Sequence, residues 1–138
     1  MKYYAGVGSR KTPNDILKLM THVGIYMKNL GWTLRSGGAE GADTAFENGA
    51  SEYKEIFTAN SHIPQEAMDT VEKHHPAPDY LTPYVKRLMA RNAMQVFGAN
   101  MDAPVGVLIC WTPNNIKVLN LGDPIALKRV MIKTNYLI

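Results

Sequence analysis

Two glycine-rich segments dominate the first third of the chain: Gly6-Val7-Gly8-Ser9-Arg10 and Ser36-Gly37-Gly38-Ala39-Glu40-Gly41-Ala42-Asp43. Each follows a short run that reads as a buried strand, and each opens a helical pattern. Glycines at a strand-to-helix turn let the backbone bend sharply and approach a ligand, and the free N–H groups of the next helix attract an anion, usually a phosphate. Two such turns on one edge of a parallel sheet point to phosphate or nucleotide binding. The competing reading is a pair of tight βα turns with a structural role only.

The rest of the pattern alternates strands and helices. Lys2 to Val7 reads as a strand. Thr12-Pro13-Asn14-Asp15 reads as a helix start, with Thr12 as N-cap, Pro13 at the first helical position and Asp15 in the reciprocal capping position. Ile16, Leu17, Met20, Val23, Ile25, Met27 and Leu30 supply an apolar stripe, and Gly31 ends the helix. Trp32 to Arg35 is a second strand. A helix from Gly41 or Ala42 to Ala50 turns Ala42, Ala45, Phe46 and Ala50 inward. Lys54 to Ala59 is a third strand. Gln65 to His74 reads as a short helix, and His75-Pro76-Ala77-Pro78 as a stiff loop. Thr82 to about Gly98 reads as a helix packing through Tyr84, Leu88, Met89 and Val96. Val105 to Trp111, the most apolar stretch, reads as a central strand. The order implies parallel strands with right-handed crossovers. The fold class expected is α/β, a Rossmann-like three-layer sandwich with a mainly parallel sheet.

Composition narrows the function. A chain of 138 residues with 46% hydrophobic residues suits one globular domain spanning residues 1–138, with no repeats or internal linker. No run of about 18 apolar residues and no basic, apolar leader is present, so a cytoplasmic protein without a membrane partner is expected. The single cysteine, Cys110, lies in an apolar run and reads as a buried structural thiol. The net charge of +3 allows an anionic ligand, but no lysine/arginine block marks a nucleic-acid footprint. His22 reads as helix surface, and His62, His74 and His75 lack metal-ligand spacing, so neither a metal nor a cofactor is expected.

Gly-Ser-Arg after the first strand, paired with the segment from Arg35 through Ser36-Gly37-Gly38-Ala39-Glu40-Gly41-Ala42-Asp43 to Glu47, resembles the DprA/Smf-like branch of the SLOG superfamily. These are Rossmann-like nucleotide-binding domains, distantly related to the Lonely Guy phosphoribohydrolases. Arg91-Asn92, Gly98 and Val107-Leu108-Ile109-Cys110-Trp111-Thr112 are also similar to its small single-domain members, which are common in bacteriophage genomes. The likeness covers residues 3 to 121 and implies a host-cytoplasm location if the chain is phage-encoded, and a homo-oligomer. The chain departs from the family after Thr112. There the family has a glycine-glycine-threonine turn, a further helix and, in the Lonely Guy group, a glutamate needed to cleave the N-glycosidic bond. Here Pro113-Asn114-Asn115 leads straight into Ile116-Lys117-Val118-Leu119-Asn120-Leu121. A parallel crossover needs about a dozen residues. The last strand is therefore expected either as the second arm of an antiparallel hairpin or paired with another subunit. Asp123-Pro124 starts a final helix with Ile125, Leu127, Val130 and Met131 on its packing side.

The candidate ligand residues are Gly8, Ser9, Arg10, Arg35, Ser36, Gly37, Gly38, Ala39, Gly41, Asp43 and Arg91. Ser9 and Arg10 have the hydroxyl and the bidentate guanidinium that hold phosphate. Arg35 suits either a ligand or a neighbouring carboxylate. Asp43 either caps its helix or meets a ribose hydroxyl. Arg91 resembles the family's phosphate-facing arginine. Glu47, one turn beyond Asp43, is the other carboxylate candidate for catalysis, against a salt-bridged surface role. The leading expectation is a module that binds a nucleotide or a nucleotide-derived small molecule. The enzyme alternative is an N-glycosidase acting on a nucleoside monophosphate. A weaker one is a DprA-like DNA recombination mediator, which rests on fold analogy.

Overall fold

The computed structural model describes residues 2–113 and 115–120. Ten elements alternate along it, five of them strands: β1 (Lys2–Val7), α1 (Asn14–Asn29), β2 (Trp32–Ser36), α2 (Ala42–Ala50), β3 (Lys54–Ile56), α3 (Gln65–His74), a 3₁₀ turn at Pro78–Tyr80, α4 (Pro83–Phe97), β4 (Val107–Thr112) and β5 (Asn115–Asn120). The sheet order is β3-β2-β1-β4-β5. β1 pairs in parallel with β2 (Tyr4 opposite Leu34) and with β4 (Tyr4 opposite Val107), and β2 in parallel with β3. β5 runs antiparallel to β4, with Thr112 opposite Asn115. The expected α/β, mainly parallel, Rossmann-like sandwich is therefore present. The hairpin option for the last strand is the one adopted, because a connection of two residues can only reverse the chain.

Alternating residues send the strands' side chains into two cores. Tyr4, Leu34, Val107 and Ile109 face α1 and α2, packing with Met20, Met27, Phe46 and Ala50. Ala5, Val7, Leu108 and Cys110 face the opposite way, against Val96 and Phe97 of α4. A third cluster joins α3 to α4 through Ala67, Val71, Met89, Ala90 and Met94. Cys110 is 1% exposed, in keeping with a structural thiol.

Several local expectations are corrected. Thr12 does not cap α1. Its hydroxyl donates to the Ser9 carbonyl (2.5 Å), while Pro13 occupies the cap position and accepts the first helical bond from Leu17 N–H (2.9 Å). Among the described residues Asp15 bonds only its neighbour's amide, accepting from Ile16 N–H at 3.0 Å. Ile25 and Leu30 are exposed. Gly24 takes the inward place between Val23 and Ile25, and Leu30 lies beyond the last helical residue. The α2 stripe, the α3 boundaries and the stop at Gly31, whose N–H bonds the Lys28 carbonyl at 2.9 Å, are as expected. β3 ends at Ile56, short of the expected Ala59, because β2 turns away after Ser36. Tyr84 is exposed, since α4's buried run begins only at Met89. β4 is interior but not central; β1 holds the middle of the sheet. Val105, expected within β4, instead bonds the Val96 carbonyl at the end of α4 (2.8 Å). The final helix expected from Asp123 lies outside the described residues.

Candidate functional site

The two glycine-rich turns leave the same, carboxyl-terminal edge of the sheet from adjacent parallel strands. They touch. A side-chain carbon at Gly8 would lie 2.6 Å from Ala42 Cβ, and one at Gly41 would lie 3.1 Å from Arg10 Cα. Gly38 and Gly41 have φ of +71° and +85°, the left-handed region that glycine enters without cost, so the second loop turns tightly into α2. Gly41 holds the N-cap position of α2, and its carbonyl accepts from Ala45 N–H at 3.0 Å.

A small cleft opens where these turns meet α4. Val7, Gly8, Arg10, Ala39, Asp43, Arg91, Asn92 and Gln95 line it. Its free space is about 40 Å³, room for a few water molecules, so a single functional group could enter and the remainder of any ligand would lie across the mouth. Arg91 is anchored from behind. Its Nη1 donates to the Gly37 carbonyl (2.7 Å) and its Nε to the Leu88 carbonyl (3.2 Å). Gly37 must be glycine for this clamp, because a side-chain carbon there would sit 2.2 Å from Arg91 Nη1 and 2.6 Å from Gln95 Nε2. Asp43 is buried in the first turn of α2, and its carboxylate accepts from Ala39 N–H at 3.1 Å.

The charges in the cleft are mixed. Burial pushes the Asp43 carboxyl above its ordinary range and Glu47 adds to this, while the Ala39 N–H and the Arg91 guanidinium oppose it. Burial lowers Arg91 from its usual value, with Asp43 working the other way and Arg10 adding to the fall. Arg10 is exposed at the mouth. Gln95 is 1% exposed, yet only one end of its carboxamide is engaged, the Nε2 donating to Asn92 Oδ1 at 3.0 Å. Its Oε1 has no partner among the described residues. A buried amide oxygen left unpaired in this way costs about 1–3 kcal/mol until something donates to it.

Not every candidate reaches the cleft. Ser9 is buried in its own turn, its hydroxyl accepting from Lys11 N–H (2.9 Å). Ser36 is fully buried beneath the second loop, its hydroxyl without a partner among the described residues. Gly38 sits exposed at the loop tip. Arg35, left open between ligand and carboxylate, is taken by the protein itself. Its Nε meets Glu55 Oε1 at 3.1 Å, its Nη1 bonds the Ala103 carbonyl, and its guanidinium lies 4.1 Å from the centre of the Tyr3 ring. Glu47 pairs with Lys54 Nζ at 3.3 Å and does not line the cleft. Val7, Asn92 and Gln95 line it without having been singled out as site residues. The available signal was two amides, Asn92 and Gln95, set with Arg91 among the apolar residues from Met89 to Phe97. Among the described residues no cluster of three or more His, Cys, Asp or Glu could hold a metal ion, and no helix is long and apolar enough to cross a membrane.

No family model matches the sequence, and no curated protein does. Among solved structures, the chain is similar to DNA processing protein A from Helicobacter pylori, a structure described for its single-stranded DNA binding mode. The two share 14% identity with a TM-score of 0.59, over 98% of this chain and 61% of that one. The chain thus spans less than two thirds of that neighbour's length, and what the likeness establishes is a DprA-like α/β fold.

Proposed function

We propose that the protein binds a nucleotide or a nucleotide-derived small molecule at the cleft between its two glycine-rich turns and α4, in the manner expected of a SLOG-type domain. The observation that carries this reading is the mixture of partners converging there. Arg10 and Arg91 offer guanidinium groups for a phosphate. The carboxylate of Asp43 and the amides of Asn92 and Gln95 offer acceptors and donors for sugar hydroxyls or a base edge. A site for inorganic phosphate alone would have no use for the acid. With about 40 Å³ of free space, the cleft takes one such group and leaves the rest of the ligand at the surface.

Binding, rather than hydrolysis, is the function supported. Glu47 is committed to Lys54, which leaves Asp43 as the only carboxylate lining the cleft among the described residues. A second reading follows from the neighbour's DNA binding: the same cleft would hold one phosphate of a single strand, with the next nucleotides crossing the exposed Gly38–Glu40 loop.

Mass spectrometry of small molecules that copurify with the native protein, followed by calorimetry, tests the proposal. Adenosine 5′-monophosphate and a short oligodeoxynucleotide are the two probes. Arg10→Ala, at the exposed mouth, should weaken binding several-fold and reduce its salt sensitivity. Tighter binding of the oligonucleotide would favour the strand reading. Binding of neither probe, with no copurifying ligand, would remove both.

We also propose self-association. The two-residue hairpin puts no crossover helix between β4 and β5, and an apolar hollow lined by Leu19, Met20, Val23, Phe46, Ile109 and Cys110 lies between α1 and β4. Leu19, Tyr26 and Leu30, spaced seven and four residues apart along α1 and its end, are exposed beside it, and apolar surface gathered on one face in this way marks interfaces.

A further inference from the structure

We propose that Tyr84 is a stacking platform for the base of the ligand whose phosphate the cleft holds, an inference that rests on the cleft being a nucleotide site. Tyr84 is 61% exposed, and among the described residues no ring or cation packs on it. It lies in the first turn of α4. Tyr84, Leu88, Arg91 and Gln95 follow at spacings of four, three and four residues, which places them in one row along the helix surface. The row runs from solvent at Tyr84 to the buried floor of the cleft at Gln95.

Seven residues of helix put the Cα atoms of Tyr84 and Arg91 about 10 Å apart. Arg91 closes part of that gap, because its Nε bond to the Leu88 carbonyl turns the guanidinium back along the row toward Tyr84. Tyr84 also works against burial in setting the Arg91 pKa, the smallest of the influences on it. An exposed ring beside an anchored guanidinium is the pairing that nucleotide and single-strand sites use, with the cation on the phosphate and the ring on the base. Every base has a π-face, so the ring would add affinity without selecting among bases. The chemistry is the same for a free nucleotide and for one unit of a single strand.

The test compares ligands that differ only in the base. Adenosine 5′-monophosphate is measured against ribose 5-phosphate, and a short oligodeoxyadenylate against its abasic counterpart, by calorimetry on the full-length protein. Tyr84→Ala should weaken both base-containing probes at least about fivefold and leave ribose 5-phosphate and the abasic strand within twofold. Tyr84→Phe should bind like the parent, because the ring and not the hydroxyl does the stacking. Tyr26→Ala, an equally exposed ring on α1, should change nothing. An effect on the adenylate pair alone assigns the platform to a free nucleotide, and an effect on the strand pair alone assigns it to DNA. Equal losses with and without the base would overturn the stacking role, as would unchanged adenylate binding in Tyr84→Ala while Arg10→Ala still weakens it. If the parent binds none of the four probes, the reading of the cleft fails first and this inference with it.

Discussion

Replacing Gly49 with alanine sets local helix preference against tertiary packing. Gly49 lies in α2, where alanine is favoured over glycine by about 1 kcal/mol in a helix interior. On that basis alone the variant would be more stable. The structure reverses the sign. A side-chain carbon at Gly49 would lie 2.2 Å from the Thr21 carbonyl oxygen, 2.8 Å from Gly24 Cα and 2.8 Å from Ile25 N, all backbone atoms of α1. No flexible side chain can yield, so the two helices must separate. Separation also strains the bond from the Thr21 hydroxyl to the Ala45 carbonyl (3.0 Å) and loosens Phe46 in the core. Overpacking costs typically about 1–3 kcal/mol, and a clash with backbone belongs at the upper end. Subtracting the helix preference leaves a net loss of about 2 kcal/mol, or a fall in Tm of roughly 4–8 °C. Urea unfolding is the direct assay, with the midpoint lowered at unchanged slope. Asn48→Ala, exposed one residue earlier, isolates the propensity gain and should stabilise slightly. Gly24→Ala meets the same seam from the other side, 2.7 Å from the Phe46 carbonyl and 3.0 Å from Gly49 Cα. The double variant should lose less than the sum, because the first substitution has already parted the helices. A Gly49→Ala protein as stable as the parent, or more so, would refute this account of the packing.

Four further outcomes are expected. Tyr4→Phe removes a fully buried hydroxyl that has no partner among the described residues, and should leave stability unchanged or raise it by about 1 kcal/mol in urea unfolding. Because burial raises the Asp43 carboxyl in the native state, the folded protein holds that proton more tightly than the unfolded chain, so stability should fall as pH rises from about 4 through the raised native value. Asp43→Asn should flatten that dependence and be the more stable protein at pH 7, and midpoints following the parent at every pH would contradict it. Arg35→Ala strips partners from Glu55 and the Ala103 carbonyl, and should cost about 2 kcal/mol while leaving adenylate affinity intact; Arg35→Lys should recover less than half, since an ammonium lacks the planar fork. Light scattering at tens of micromolar should show a dimer or larger assembly, and a clean monomer would refute self-association.

The sequence by itself determined the element order and which two turns meet at the candidate cleft. Strand, helix and turn signals at β1, α1, β2 and α2 are local, arising from apolar periodicity and from glycines where the backbone must bend, so they are legible without knowing what packs where. The hairpin after Thr112 was also constrained, since a connection so short excludes a crossover. What only the tertiary structure decided is which polar side chain serves what. Ser9, Ser36 and Arg35 sit in the same glycine-rich context as Arg10 and Asp43. Their fates diverge because a strand sends alternate side chains to opposite faces and because Glu55, Ala103 and Tyr3, distant in sequence, enclose Arg35. Asn92 and Gln95 reach the cleft only because α4 crosses to the far side of the sheet and lies against the second loop. Local chemistry writes a turn into the sequence. The partners of a buried polar group come from across the chain, and desolvation makes those partners decide its role.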